Sequence, residues 1–215
     1  MKKGIAILFA AALFMLAGCA GEEDMTGKSY SSEEAEVKIV TVDAADREIE
    51  ITGSEDSEVH IDYFDSEKEY LDIALSEDGH LTVRLVKNDT FDIIASKTAE
   101  EYRRISLRLP ADITVLTVKT KNEDISAKGI SVAEKISFDT NGGNILCDKT
   151  DVGRGISLTA KNGDISGTVV GGWDDFSIGC RIKKGDCNLP MQKSGGNKTF
   201  TAECNNGDIE IDFVK

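Results

Sequence analysis

One short phrase recurs five times in the second half of this 215-residue chain: Asn122-Glu-Asp-Ile125, Gly142-Gly-Asn-Ile145, Asn162-Gly-Asp-Ile165, Lys184-Gly-Asp-Cys187 and Asn206-Gly-Asp-Ile209. The last residues of the copies lie 20, 20, 22 and 22 positions apart, and a near-fixed period of that size marks a repeat architecture. Around each phrase the same slots recur. Nine positions before the last residue stand Leu116, Ile136, Ile156, Ile178 and Phe200; seven before stand Val118, Phe138, Leu158, Cys180 and Ala202. Five before come Thr120, Thr140, Ala160, Ile182 and Cys204, and two after come Ala127, Cys147, Gly167, Leu189 and Ile211. Alternate residues therefore face one way on both sides of the phrase, which is the period-2 signature of strands with one buried face.

Each copy reads as strand, tight turn, strand. Gly accepts positive φ, and Asn and Asp tolerate the left-handed region and hydrogen-bond their own backbone, so the phrase itself is turn chemistry. A unit this short cannot bury its own apolar face, and successive units are expected to stack. The fold class is thus all-β, a β-solenoid of 20–22-residue repeats over 111–215, preceded by packed β-strands over 36–110. The alternative is an antiparallel sandwich or meander in which the Asn-Gly signals are hairpin turns. The preceding strands are read from Val37/Ile39, Ile49/Ile51, Val59/Ile61/Tyr63, Leu71/Ile73/Leu75, Leu81/Val83/Leu85 and Ile105/Leu107/Leu109, with a loop and one short helix between Lys87 and Arg104.

The start of the chain carries an address. Lys2 and Lys3, an apolar run from Ile5 to Leu16 and the small-residue site Leu16-Ala17-Gly18-Cys19 read as a secretory leader over 1–18. The closing tetrapeptide resembles a bacterial lipobox, which implies lipidation of the Cys19 thiol and palmitate-type acylation, and two or more acyl chains anchor stably. Ala20 to Ala35, acidic and poor in apolar residues, is expected to be a flexible tether.

The alternating strands, the Leu107-Arg-Leu-Pro110 junction and the Asn-Gly-Asp-Ile repeats together resemble the DUF4097 family of bacterial adhesin-like proteins, over roughly residues 36–215. The resemblance implies a β-helix-like extracytoplasmic domain, often membrane-linked or in lipoprotein form, tied in some members to envelope stress. It implies no catalytic residues.

Charge narrows the partners. The chain carries −14, and losing Lys2 and Lys3 with the leader leaves 23 basic against 39 acidic residues, or −16. Nucleic acid needs clustered Lys and Arg and is disfavoured. In a stack, Asp124, Asn144, Asp164, Asp186 and Asp208 would line one edge as a ladder, which is the arrangement a calcium ion would use and also the one a turn chooses by itself. No other cofactor and no dedicated metal site is expected; His60 and His80 stand in separate strands without ligand spacing. Cys147, Cys180, Cys187 and Cys204 occupy apolar slots and read as buried thiols, while export also permits a disulfide among Cys180, Cys187 and Cys204. Trp173, the single tryptophan, lies in the longer copy, either as a stacking platform for a sugar ring or folded over the end of the stack.

No nucleophile elbow or distinguished carboxylate pair is present. The expected function is a lipid-anchored, extracytoplasmic, non-catalytic binding or structural module of the bacterial cell envelope, with a glycan, cell-wall polymer or protein as partner. The runner-up is an envelope-stress accessory that binds a membrane regulator, and the third reading is a carbohydrate-active enzyme.

Overall fold

A computed structural model describes residues 25–88 and 98–215. The leader and Cys19 lie outside the described residues. The strands are β1 (Thr26–Ser31), β2 (Ile39–Asp43), β3 (Glu48–Gly53), β4 (His60–Asp65), β5 (Glu69–Leu75), β6 (His80–Lys87), β7 (Arg104–Leu109), β8 (Val115–Lys119) and β9 (Ile125–Lys128). Then come β10 (Ser131–Val132), β11 (Lys135–Thr140), β12 (Ile145–Val152), β13 (Gly155–Asn162), β14 (Ile165–Val170), β15 (Phe176–Lys184), β16 (Gln192–Lys193), β17 (Lys198–Asn206) and β18 (Ile209–Val214). The helical elements among the described residues are two 3-10 turns, Glu100–Tyr102 and Trp173–Asp175. The first falls where a short helix is expected from sequence.

The strands form two mixed, open sheets. One runs β1-β4-β7-β3-β9-β12-β14-β18, with β10 beside β12; the other runs β16-β15-β17-β13-β11-β8-β2-β6-β5. The repeated slots pair in parallel: Leu116 lies beside Ile136, Ile136 beside Ile156, Ile156 beside Phe200 and Phe200 beside Ile178. In the other sheet Ile125, Ile145, Ile165 and Ile209 form the matching column. The columns continue into the first half, where Val40 pairs with Leu116 and Leu81, and Ile49 with Ile125. Side chains from both sheets meet in one apolar core. Antiparallel pairing is confined, among the described strands, to β1/β4, β4/β7, β5/β6 and β15/β16, of which the last two join consecutive strands.

The order of the copies differs from the expected succession. β17 lies between β13 and β15, so the fourth copy sits outside the fifth. After its turn the fourth copy makes the isolated backbone bridge Cys187–Ile209, with Asn188 bonding the Ile211 backbone through its side chain, and then reaches Pro190, whose missing N–H cannot extend a ladder. A unit with one full strand can end a stack but cannot carry another unit on both sheets. The complete pair β17 and β18 therefore takes the inner place.

The tether expected up to Ala35 is corrected from Thr26 onward. Residues 26–31 are β1, paired with β4 along all six positions, and Tyr30 packs on the core. Ser32 closes the segment: its amide donates to Val59 O and its hydroxyl accepts from Val59 N, both at 3.0 Å. Backbone pairing at a sheet edge, with one aromatic, holds a stretch whose composition reads as solvated. The phase in β2 also differs, since Val37, Val40 and Val42 are buried while Ile39 is not. Gly79 O accepts from both Lys38 N and Ile39 N, which puts an irregularity where the alternation slips.

In-register stacking of an acidic chain would set like charges about 4.8 Å apart. The outer face of the second sheet avoids this by alternation, with Asp72, Arg84, Asp43, Lys119 and Asp139 successive in one row. Inside, the slot five before the last residue ties neighbouring layers. Thr120 Oγ1 donates to Arg47 O at 2.8 Å, Thr140 Oγ1 to Glu123 O at 3.1 Å and Cys204 Sγ to Gly163 O at 3.4 Å. Thr140 also accepts from Gly143 N at 3.1 Å. Thr140→Val keeps the shape and orphans both buried partners, so it should cost about 1–2 kcal/mol in a urea unfolding series.

Candidate functional site

The turn ladder forms, in spatial rather than sequence order. Asp124 Oδ1 accepts from Asn144 N at 2.7 Å, Asn144 Oδ1 from Asp164 N at 2.9 Å, Asp164 Oδ1 from Asp208 N at 2.8 Å, and Asp208 Oδ1 from Asp186 N at 2.8 Å. Each rung commits one side-chain oxygen to the backbone of the next layer. That is turn-stabilising chemistry repeated down an edge, and it explains why Asn144 serves as well as Asp. A second row runs beside it, with Asn206 Nδ2 donating to Asn162 Oδ1 at 2.6 Å and Asn162 Nδ2 to Asn141 O at 3.0 Å.

Trp173 lies at the β15 end of the molecule. Its ring meets Phe213 edge-on at 5.7 Å, Phe213 in turn packs on Phe176 and Phe200, and Lys193 Nζ sits 5.4 Å from the Trp173 ring centre. The indole is 43% exposed, so it both covers the aromatic cluster and presents a surface. The cysteines separate into three environments. Cys147 is fully buried, and burial pushes its thiol up to about 12. Cys204 is buried and bonded to Gly163 O. Cys180 and Cys187 stand with their sulfurs 2.9 Å apart.

The opposite end, formed by the edge strands β1 and β5, carries the open clefts, which sequence reasoning missed. A groove of about 800 Å³ lies over β4 and β7 between β1 and the first 3-10 turn. Ser29, Asp62, Phe64, Glu101, Arg104 and Ser106 line it. Phe64 points out of the sheet and is propped by Tyr102, edge-on at 5.2 Å. Arg104 is held by Glu48 at 3.1 Å and Glu50 at 3.5 Å, and Arg108 holds Asp62 at 2.9 Å. A second cleft of about 570 Å³ shares Lys28, Ser29 and Tyr63 with the first and continues past Tyr70. The pair of grooves therefore wraps around β1. Hydroxyls, carboxylates, a guanidinium and an aromatic ring together suit a polar, polyhydroxylated ligand. The only advance signal was the outward phase of Phe64 among polar neighbours.

Beneath this end lies a buried charge cluster. Arg47, 2% exposed, donates to Glu69 at 2.5 Å; Lys87 reaches the same carboxylate at 3.0 Å and Thr98 at 3.1 Å. Burial alone would raise Glu69, but the Arg47 and Lys87 hydrogen bonds outweigh it and hold the carboxyl below its usual range. Asp65 is 4% exposed and takes hydrogen bonds from Lys28 at 3.1 Å and Leu71 N at 2.9 Å; burial wins there and pushes it up. Near the rim, Asp56, Glu58 and His60 bring one donor atom each within 4.8 Å of one another. Their bonds are internal: the Glu58 amide, the Ser54 hydroxyl and His60 hold Asp56 down to about 2, and the Ser31 hydroxyl donates to Glu58. His80 instead bonds Thr41 at 2.9 Å.

Comparison with solved structures finds the same fold in a protein of Clostridium sporogenes described as a "putative cell adhesion protein": TM-score 0.59, 12% identity, 90% of this chain and all of that one. A "putative adhesin" of Bacteroides fragilis superposes less closely, with TM-score 0.38 and 10% identity over 86% of this chain and 97% of that one. A search of the curated proteins finds no match. The family model described as Toastrack DUF4097 matches residues 37–215, the stretch that holds both sheets apart from β1. By that match the chain belongs to the Toastrack DUF4097 family.

Proposed function

We propose that this protein is a lipid-anchored, extracytoplasmic, non-catalytic binding module of the bacterial cell envelope, a β-solenoid-like scaffold that engages an envelope glycan or cell-wall polymer through the groove beside β1. The groove carries the reading, because it sets an outward aromatic among fixed polar groups on a rigid sheet face. The name of the Clostridium sporogenes structure and the 1–18 leader sequence followed by Cys19 agree with it. Cys19 stands seven positions before Thr26, a span of at most about 25 Å. Lipidation at Cys19 would hold the grooved end close to the membrane and turn the Trp173 end outward.

The test uses unlipidated protein starting at Ala20, so that β1 is kept, applied to peptidoglycan, wall polymers and membrane extract. Retention on a polymer, cut about tenfold by Phe64→Ala as one lost aromatic contact implies, supports the groove. Circular dichroism checks that the variant folds. Retention indifferent to Phe64→Ala and Asp62→Ala defeats it, and capture of a single membrane protein in place of polymer transfers the reading to the regulator partner. In cells, palmitate labelling should disappear in Cys19→Ser; labelling that persists overturns the anchor.

A further inference from the structure

The geometry points to Cys180 and Cys187 as a disulfide-forming pair that staples the outermost copy of the repeat. Their thiols are already in contact at 2.9 Å, against about 2.0 Å for the bond itself. Cys180 sits on β15 with its side chain in the core, and Cys187 follows the turn and bridges to Ile209 in the other sheet. The bond would therefore join one sheet to the other.

The repeat supports the pairing independently. In the four other copies the same two slots hold Val118 and Ile125, Phe138 and Ile145, Leu158 and Ile165, and Ala202 and Ile209, all buried. These are positions from which apolar side chains meet across the turn. Only the fourth copy places two sulfurs there, and it is the copy that needs support most. β15 has β17 on one side but only the two-residue β16 on the other. Cys204 donates to Gly163 O, and the sulfur in contact with Cys180 is that of Cys187.

The chemistry balances with a small disulfide such as oxidised glutathione as oxidant. Cys187, the more exposed of the two, loses its proton to solvent, attacks one glutathione sulfur and expels the first glutathione thiolate, leaving a mixed disulfide. Cys180 then loses its proton and attacks the Cys187 sulfur, expelling the second. Two protein thiols are oxidised and one glutathione disulfide is reduced to two thiols. Burial raises the Cys180 thiol above its ordinary value, so the closing step accelerates as pH rises.

The full mature protein, extracted from membranes and treated with oxidised glutathione, is alkylated without reduction and digested with trypsin. Cleavage after Lys161, Arg181, Lys184, Lys193 and Lys198 puts Cys180, Cys187 and Cys204 on separate peptides. The expected product joins Asn162–Arg181 to Gly185–Lys193, with Cys147 and Cys204 alkylated. Cys204→Ser should leave that link intact, and Cys180→Ser should strand one glutathione on Cys187. Recovery of Cys180 and Cys187 both alkylated, or either linked to the Cys204 peptide, overturns the pairing. Reduction should lower the thermal midpoint by about 5 °C or more, as expected for closing a short loop; an unmoved midpoint overturns the staple role.

Discussion

Gly163→Ala should lower stability by about 3 kcal/mol, the upper end of the cost of overpacking, and the thermal midpoint by about 6–12 °C. The reason is the spacing between turns. A Cβ on Gly163 would overlap the carbonyl oxygen of Gly143, and one on Gly143 would overlap that of Glu123. The same holds for Gly207 above Gly163 and Gly185 above Gly207. Neither Gly143 nor Gly163 has a positive φ, so these two glycines are required by the close approach of one layer to the next rather than by left-handed backbone. In the first copy Glu123 fills the slot, above the Ala44–Arg47 turn instead of another copy of the phrase, and pairs with Arg103. Gly179→Ala is the control: its Cβ would meet Thr201 at an ordinary 3.7 Å, and the change should be neutral or stabilising by about 0.5 kcal/mol through the unfolded chain. Equal losses in the two variants in differential scanning calorimetry would refute the layer-contact explanation.

Glu69→Gln should cost a similar amount, about 3 kcal/mol, because it leaves the Arg47 guanidinium buried without its counter-charge. Arg47→Met combined with Glu69→Leu should recover most of that loss, since replacing both members of a buried pair removes the desolvation problem along with the attraction. The pH dependence has a definite sign. The folded pKa of Glu69 lies below its ordinary value of 4.5, so its contribution is complete above that value and is lost as pH falls through the lower folded one. The gap between the parent and Glu69→Gln should therefore narrow on acidification below about pH 4.5. Asp65 acts in reverse: its raised pKa makes the charged form a cost at neutral pH, relieved as pH falls through the raised value. A Glu69→Gln deficit that stays constant from neutral to acid pH would show that the carboxylate charge is not what holds Arg47.

How much of this was legible depends on whether the cause is local. The repeated slots were readable because period-2 burial and turn chemistry are written in consecutive residues, and equivalent slots do pair with one another, although the fifth copy and not the fourth lies next to the third. β1 was not readable, because its order comes from a partner about thirty residues away rather than from its own composition. The buried Arg47 left no trace either: its companions Glu69 and Lys87 are brought to it by pairing of distant strands. The ladder was foreseen as a row, but its satisfaction by amides of the next layer needs the layer order, and that order is not the sequence order. The groove depends on the same distant pairing of β1, β4 and β7.

The inner position of β17 poses a problem of order for a growing chain. β15 leaves the ribosome before the strand it must lie against, and its partners are β17 and the minimal β16. Until the C-terminal segment arrives, the exposed edge of β13 is the natural landing place for β15, since it offers the same apolar column, Ile156 and Leu158, that Phe200 and Ala202 will later claim. For the native order to form, either β17 takes the edge of β13 before β15 does, or β15 has to give that edge up again.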